Sequence, residues 1–337
     1  MKVVDLHSDL FNDIAFRRGN GERNVLERVH LPNLKRGRVA GLIGVIWVEP
    51  IYQNKLKRFL EIFHHVLDDL NESSEVIVVR TPDEMLHAYE TEKFFVYLGI
   101  EGVTFIEEWT GNNKKEKVSL AFNELNENSI RHSIFTWNEV NFIASGSGNE
   151  KNVHSGISKH GEGLIQQMID ENWIIDVSHL DEQSFWDVVN QSNYPLLASH
   201  SNVNAICFHE RNLTDEQINA IAKTEGLIGV NAYGSFVHPT EPTIDRFIDH
   251  ICYIAELVGI EYVGLGFDFV DYLQSYDLGS DLSNLTVGLE DATKIPKLLE
   301  KLSQRGFSSA DIEKLAFRNF YQFMCNIHKY SRGKNDA

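Results

Sequence analysis

Eight short apolar runs, separated for the most part by helix-patterned stretches, constrain this chain more than any other feature. The runs occupy residues 3–6, 40–48, 94–100, 133–136, 173–177, 196–199, 227–231 and 262–267. A strand that reads as an unbroken apolar run is buried on both faces, the situation of parallel strands covered by crossover helices. Segments 55–72, 214–225, 243–258 and 290–305 place apolar side chains three and four apart, the spacing of one helical face. Thr214 followed by Gln217 has the pattern of a capping box. The first crossover is less regular, and residues 76–79 read as an additional strand. Eight strand–helix units in 337 residues predict an α/β chain folded as a closed (β/α)8 TIM barrel rather than an open doubly wound sheet or two domains. The barrel is assigned to residues 1–325. Residues 326–337 (NIHKYSRGKNDA) carry no core-forming pattern and read as a polar tail frayed from it.

The longest polar segments, 107–117, 145–163 and 271–286, each follow a predicted strand. Loops in that position lie on the carboxyl face of a barrel, where sites are built, so elaborated loops there imply a shaped pocket. The polar residues that end the strands point the same way. The first strand ends Asp5-Leu6-His7-Ser8-Asp9, with His7 and Asp9 two apart on one side of an extended chain. Glu101 ends LGIEGV, His179 ends IIDVSHL, His200 ends LLASHSN and Asp268 ends GLGFDF. Imidazoles and carboxylates converging from separate strands suit zinc or a similar first-row metal. Two histidines and a carboxylate serve one ion. This set is large enough for two if Glu101 bridges them, and ions about 3.5–4 Å apart can hold a hydroxide between them. A lone histidine among 14 is ordinarily a surface or packed residue, and His30, His64, His65, His87, His132, His154, His160, His250 and His328 are read that way. The convergence of four or more strand ends carries the signal.

Charge and composition exclude other classes. With 31 Lys+Arg against 49 Asp+Glu the net charge is -18, which repels phosphate backbones, and no basic run offsets it, so no nucleic-acid partner is expected. The same excess serves solubility. Cys207, Cys252 and Cys325 are widely spaced without a CxxC and read as buried thiols in a reducing compartment. The opening MKVVDLHSDL is too charged for a signal peptide, and no stretch approaches about 18 apolar residues. A cytoplasmic protein with no membrane partner is expected.

Taken together, DLHSDL, YLGIEGV, ISKHGEGLIQQM with IIDVSHL, LLASHSNVNAI followed by HERNLTDEQI, and GLGFDF resemble the membrane (renal) dipeptidase family, peptidase family M19. The resemblance runs from about residue 3 to about residue 320, with the motifs in the family's order. It implies a (β/α)8 barrel whose two Zn2+ ions per subunit hydrolyse dipeptides, often with tolerance for a D-residue at the carboxyl end, and it allows a homodimer. By motif, His7 and Asp9 hold one zinc, Glu101 bridges, and His179 and His200 hold the other. Arg211 matches the arginine that grips the substrate carboxylate, a task suited to its bidentate fork. Asp268 matches the catalytic aspartate that takes a proton from the attacking hydroxide and passes it to the leaving amine.

The chain departs from the renal type at Phe135-Thr136-Trp137-Asn138, where Trp137 replaces the histidine that steadies the carbonyl oxygen. An indole N–H donates one hydrogen bond and carries no charge. Trp137 is expected as a pocket wall, with Asn138, Asn141 and the 145–163 loop as candidates for the missing donor. In GFDFVD, where many members read DFDG, Asp268 survives and Asp271 has no assignment. Tyr233 and Phe236 are expected to line the substrate pocket, while His209 and Glu210 either line it or, as the preferred reading, lie in a solvated loop. Asp176 either orients a ligand imidazole or satisfies a strand-end backbone group. Two other readings remain at this point: a related barrel metallohydrolase acting on an N-acyl amino acid, lactone or cyclic amide, and a barrel that binds peptide or metal without catalysis.

Overall fold

The computed structural model describes residues 1–148 and 155–335, so His154, residues 149–154 of the 145–163 loop and residues 336–337 lie outside the described residues. Among the described residues nine strands form one parallel sheet: β1 (Val3–Ser8), β2 (Val39–Trp47), β3 (Val76–Val78), β4 (Phe94–Glu101), β5 (Ile130–Ile134), β6 (Ile174–Asp176), β7 (Leu196–Ala198), β8 (Leu227–Val230) and β9 (Val263–Leu265). Eight of them follow one another as β1-β2-β4-β5-β6-β7-β8-β9 around a nearly closed (β/α)8 barrel. The extra strand, β3, pairs with the first half of β4, off this path.

Burial explains the sequence pattern. β2 (VAGLIGVIW) and β4 (FFVYLGIE) are buried along their whole length, because helices cover one face and the barrel interior the other. The Lys55–Glu72 helix begins at Asn54, whose side chain accepts from the Lys57 amide. Arg58, on that helix, pairs with the buried Glu49 just past β2 at 2.6 and 2.9 Å and lies over the Phe16 and Tyr52 rings. The capping box at Thr214 and Gln217 opens the Asp215–Lys223 helix. β5 starts three residues before the apolar run at 133–136, since His132 is buried in the strand by a hydrogen bond to Asp176 that residue hydropathy does not register.

Register brings the functional ends level. Trp47 pairs with Glu101, and Glu101 with Ile134. Where strands converge near the carboxyl face, glycine is required: a Cβ on Gly266 would overlap the Ser199 carbonyl oxygen. Between β1 and β9 no backbone ladder forms among the described residues. The Phe267 amide instead donates to Asp5 Oδ1 across that seam at 2.9 Å.

Two expectations are corrected. Residues 326–335 do not fray, because the last helix continues from Asn319 to Asn335, with Ile327 buried in the core and Tyr330 edge-on to Tyr194 at 5.1 Å. Among the cysteines Cys207 is buried, but Cys252 and Cys325 are only half-buried. Among the described residues no helix is long and apolar enough to cross a membrane.

Candidate metal centre

The strand ends deliver their polar side chains to one point. His7 Nε2 stands 3.5 Å from Glu101 Oε2, 3.7 Å from Asp9 Oδ2 and 3.9 Å from Asp268 Oδ1. On the opposite side, His179 Nε2 is 2.8 Å and His200 Nε2 3.7 Å from Glu101 Oε1. The two oxygens of one carboxylate therefore face two separate groups of donors. The His7 and His200 rings lie 3.8 Å apart. His179 and Asp268 both have left-handed backbone, φ +66° and +55°, a conformation held only where the surroundings over-determine it.

Electrostatics show why this cluster fits a cation. Burial, reinforced by the Asp9 charge, pushes Glu101 up to about 8, and burial with Asp9 raises Asp268 to about 6. Burial alone would lower His7, but the neighbouring Glu101 and Asp9 carboxylates drive it well above the usual imidazole value. Burial drives His179 and His200 well below it, so each ring is neutral and carries one lone pair, which at His200 Nε2 accepts from Arg211. Both ring nitrogens of His7 and Asp9 Oδ1 are buried without a hydrogen-bond partner. Buried polar atoms are ordinarily paired, and a divalent ion would satisfy these while relieving the carboxylate crowding.

Other side chains hold the donors. Asn138 Oδ1 lies 2.9 Å from His179 Nδ1, and Ser199 Oγ 2.8 Å from His200 Nδ1. A proton on Nδ1 at each contact leaves the lone pair on Nε2, the atom that faces Glu101. Asn231 Nδ2 donates to Asp268 Oδ2 at 3.0 Å, and Asn231 is itself fixed by a reciprocal pair of bonds with Asn202. Asn231 and Ser199 escaped the sequence reading, although both directly follow or end predicted strands. Asp176 orients no ligand imidazole. It bonds His132 Nε2 at 2.8 Å and accepts from the Ser178 and Ser199 amides.

A cavity of about 370 Å³ opens on this cluster. Two aromatic groups line it: Tyr233 and Phe236 around Arg211, and Trp47 with Trp137 beside Glu101 and His179. Arg211 is buried, which pulls its guanidinium down to about 10. Its NH2 lies 2.9 Å from His200 Nε2, and its Nε has no partner. Trp137, Asn138 and Tyr233 all line the cavity as expected. His209 and Glu210 line it too, a correction to the solvated-loop reading. The His209 ring packs on Phe236 at 4.6 Å, while Glu210 stays exposed at the rim. Asn141 does not reach it, because its side chain is bonded to Phe135 O and to the Ile143 and Ala144 amides. Asp271 lines a separate cavity with Asp5 and His30.

A family model described as membrane dipeptidase (peptidase family M19) matches residues 1–337. An uncharacterized protein from the pqqA 5' region of Klebsiella pneumoniae is 30% identical over 200 residues, 57% of this chain and 70% of that protein. An uncharacterized dipeptidase of Schizosaccharomyces pombe is 30% identical over 193 residues, 56% of this chain and 45% of its own length. Dipeptidase tcpJ of Claviceps purpurea is 24% identical over 321 residues, 90% of this chain and 70% of that one. Among solved structures, a metallopeptidase of Rhodobacter sphaeroides with a phosphinate mimic of L-Ala-D-Ala bound aligns with a TM-score of 0.82 at 21% identity, over 97% of this chain and 99% of that one.

Proposed function

The chain belongs to the membrane dipeptidase family, peptidase family M19, and from that premise we propose that this metallo-dipeptidase works through two zinc ions spanned by Glu101. The observation that carries the two-ion reading is the division of labour at Glu101, whose Oε2 faces His7 and whose Oε1 faces His179 and His200. Zinc is the ion because three imidazoles and a few carboxylates form its preferred donor set. When bound, such a pair makes water nucleophilic near neutral pH and polarises the scissile carbonyl.

The chain's own residues do the rest. Arg211 binds the substrate's terminal carboxylate through its guanidinium. Because that group already lies 2.9 Å from a metal ligand, there is room for only one residue beyond the scissile bond. Dipeptides follow as the substrate class. Asp268, steadied by Asn231, takes the proton of the attacking water and delivers it to the departing amine. Its elevation to about 6 suits a group that must both accept and give. Trp137 walls the pocket in place of a charged donor, with an indole N–H that can give one hydrogen bond and no charge. A D-residue at the carboxyl end is accommodated, a reading supported by the L-Ala-D-Ala mimic carried by the R. sphaeroides protein.

Metal analysis combined with amino-acid release from a dipeptide panel tests this. Two zinc ions per chain and turnover of L-Ala-L-Ala and L-Ala-D-Ala, abolished by a chelator, are expected. In Arg211→Ala, kcat/KM for free dipeptides falls about 10²–10³-fold, removing the preference over carboxyl-amidated analogues. A metal-loaded protein without turnover, or an Arg211→Ala variant that keeps its preference for the free carboxylate, overturns the reading.

A further inference from the structure

Around most of the barrel, neighbouring strands are held by backbone hydrogen bonds, and the ligand at each strand end inherits its position from that ladder. The exception is the seam between β1, which carries His7 and Asp9, and β9, which leads to Asp268. There the strands pack so closely that a Cβ on Gly264 would stand 2.6 Å from Leu6 Cδ1, yet among the described residues they share no ladder. What crosses the seam is the side chain of Asp5. Its Oδ1 accepts from the Phe267 amide at 2.9 Å and from the His7 amide at 3.3 Å, and it is 2% exposed. The two amides belong to a metal-site histidine and to the residue immediately before Asp268.

We propose that Asp5 is a positioning residue: its single acceptor oxygen replaces the missing ladder, fixes the β9 end against the β1 end, and holds Asp268 in the left-handed backbone that aims its carboxylate at His7. Asp268 at φ +55° lacks the conformational freedom of glycine and stays there only while both sides of the strained residue are tied. Asn231 ties the side chain and Asp5 ties the preceding amide. The same device recurs one layer beneath the second ligand pair, where Asp176 Oδ1 accepts from the Ser178 and Ser199 amides just before His179 and His200. Those strands also pair through their backbones, so Asp176 reinforces a ladder while Asp5 stands in for one.

The test compares Asp5→Ala with Asp5→Asn in the full chain, Asn keeping an acceptor oxygen in the same place. Residue-resolved hydrogen exchange reads the latch without any substrate. In Asp5→Ala the Phe267 amide exchanges about tenfold faster or more, while the adjacent Gly266 amide, bonded to Val230 O at 3.2 Å, keeps its rate. In Asp5→Asn both keep their rates. The kinetic arm rests on the dipeptidase reading. There kcat falls about 100-fold in Asp5→Ala with KM little changed, and Asp5→Asn recovers most of the loss. Unchanged Phe267 exchange, equal acceleration at Gly266 and Phe267, or an Asn variant as impaired as the Ala variant overturns the proposal. Should Asp5→Ala fail to fold, Asp5→Asn decides alone: Phe267 protection retained supports the latch, and protection lost refutes it. Absence of dipeptide turnover in the wild type would sink the functional reading and leave the exchange result standing.

Discussion

Asn138 shows how much of this centre depends on side chains that hold a ligand from behind. By accepting the Nδ1 proton of His179 it sets both the ring's orientation and its tautomer. Asn138→Ala is therefore expected to weaken zinc affinity about 10–100-fold, read by competition with a chromophoric chelator, whereas Asn138→Asp keeps the acceptor and most of the affinity. His7, Asp9, Glu101, His179, His200 and Asp268, which the fold brings together, are legible in the bare sequence because their signal is local, each a polar group ending an apolar strand, whereas Arg211 is singled out only by the family resemblance of its HERN motif. Asn231, Ser199 and the true partner of Asp176 are not legible in it. The bonds from Asn231 to Asp268 and from Asp176 to His132 join different strands, and no spacing rule connects them. Of the two roles left open for Asp176 the structure shows the strand-end one, its Oδ1 accepting from the Ser178 and Ser199 amides, while the strand turns before His179 and that imidazole faces Asn138.

At the level of elements, the apolar runs located the strands, while helical spacing picked out only the segments at 55–72, 214–225, 243–258 and 290–305, and the misses at β5 and the last helix share a cause. β5 and the final helix are held by contacts between distant segments, His132 with Asp176 and Tyr330 with Tyr194, so polar residues sit where a local pattern predicts none. The second glycine of GLGFDF belongs to this scale as well. With the Ser199 carbonyl oxygen occupying the place of its missing Cβ, Gly266→Ala must push the β9 end away from the β7 end. A loss of about 2–3 kcal/mol in urea denaturation is expected, together with reduced turnover, since the displaced strand carries Asp268. A variant as stable and active as the wild type would show that the strands can separate freely at this point.

The whole molecule folds as the barrel its eight strand–helix units imply, and the carboxylates that meet at the site, Asp9 and Glu101 with Asp5 beneath them, are buried rather than part of its acidic surface. Its pH tolerance is set partly by His250, buried far along the chain from the metal ligands. There it accepts from the Val203 amide through Nδ1 and donates to Val237 O through Nε2. Burial lowers it from its ordinary 6.5 to about 4. The unfolded chain therefore binds a proton that the folded chain refuses between those values, and stability falls as pH drops from about 6.5 toward 4 and then levels. The shift amounts to about 3 kcal/mol. Urea midpoints across that window should decline more steeply for the wild type than for His250→Gln, and parallel slopes would remove His250 from the account. The seam between β1 and β9 has a further consequence, in time rather than space. Asp5 and Phe267 lie 262 positions apart, so during synthesis from the amino terminus His7 and Asp9 emerge early and wait, at about 5–20 residues per second, for the other half of their site. Contacts of such long sequence separation form slowly, so the seam closes only after β9, the last strand, has been made.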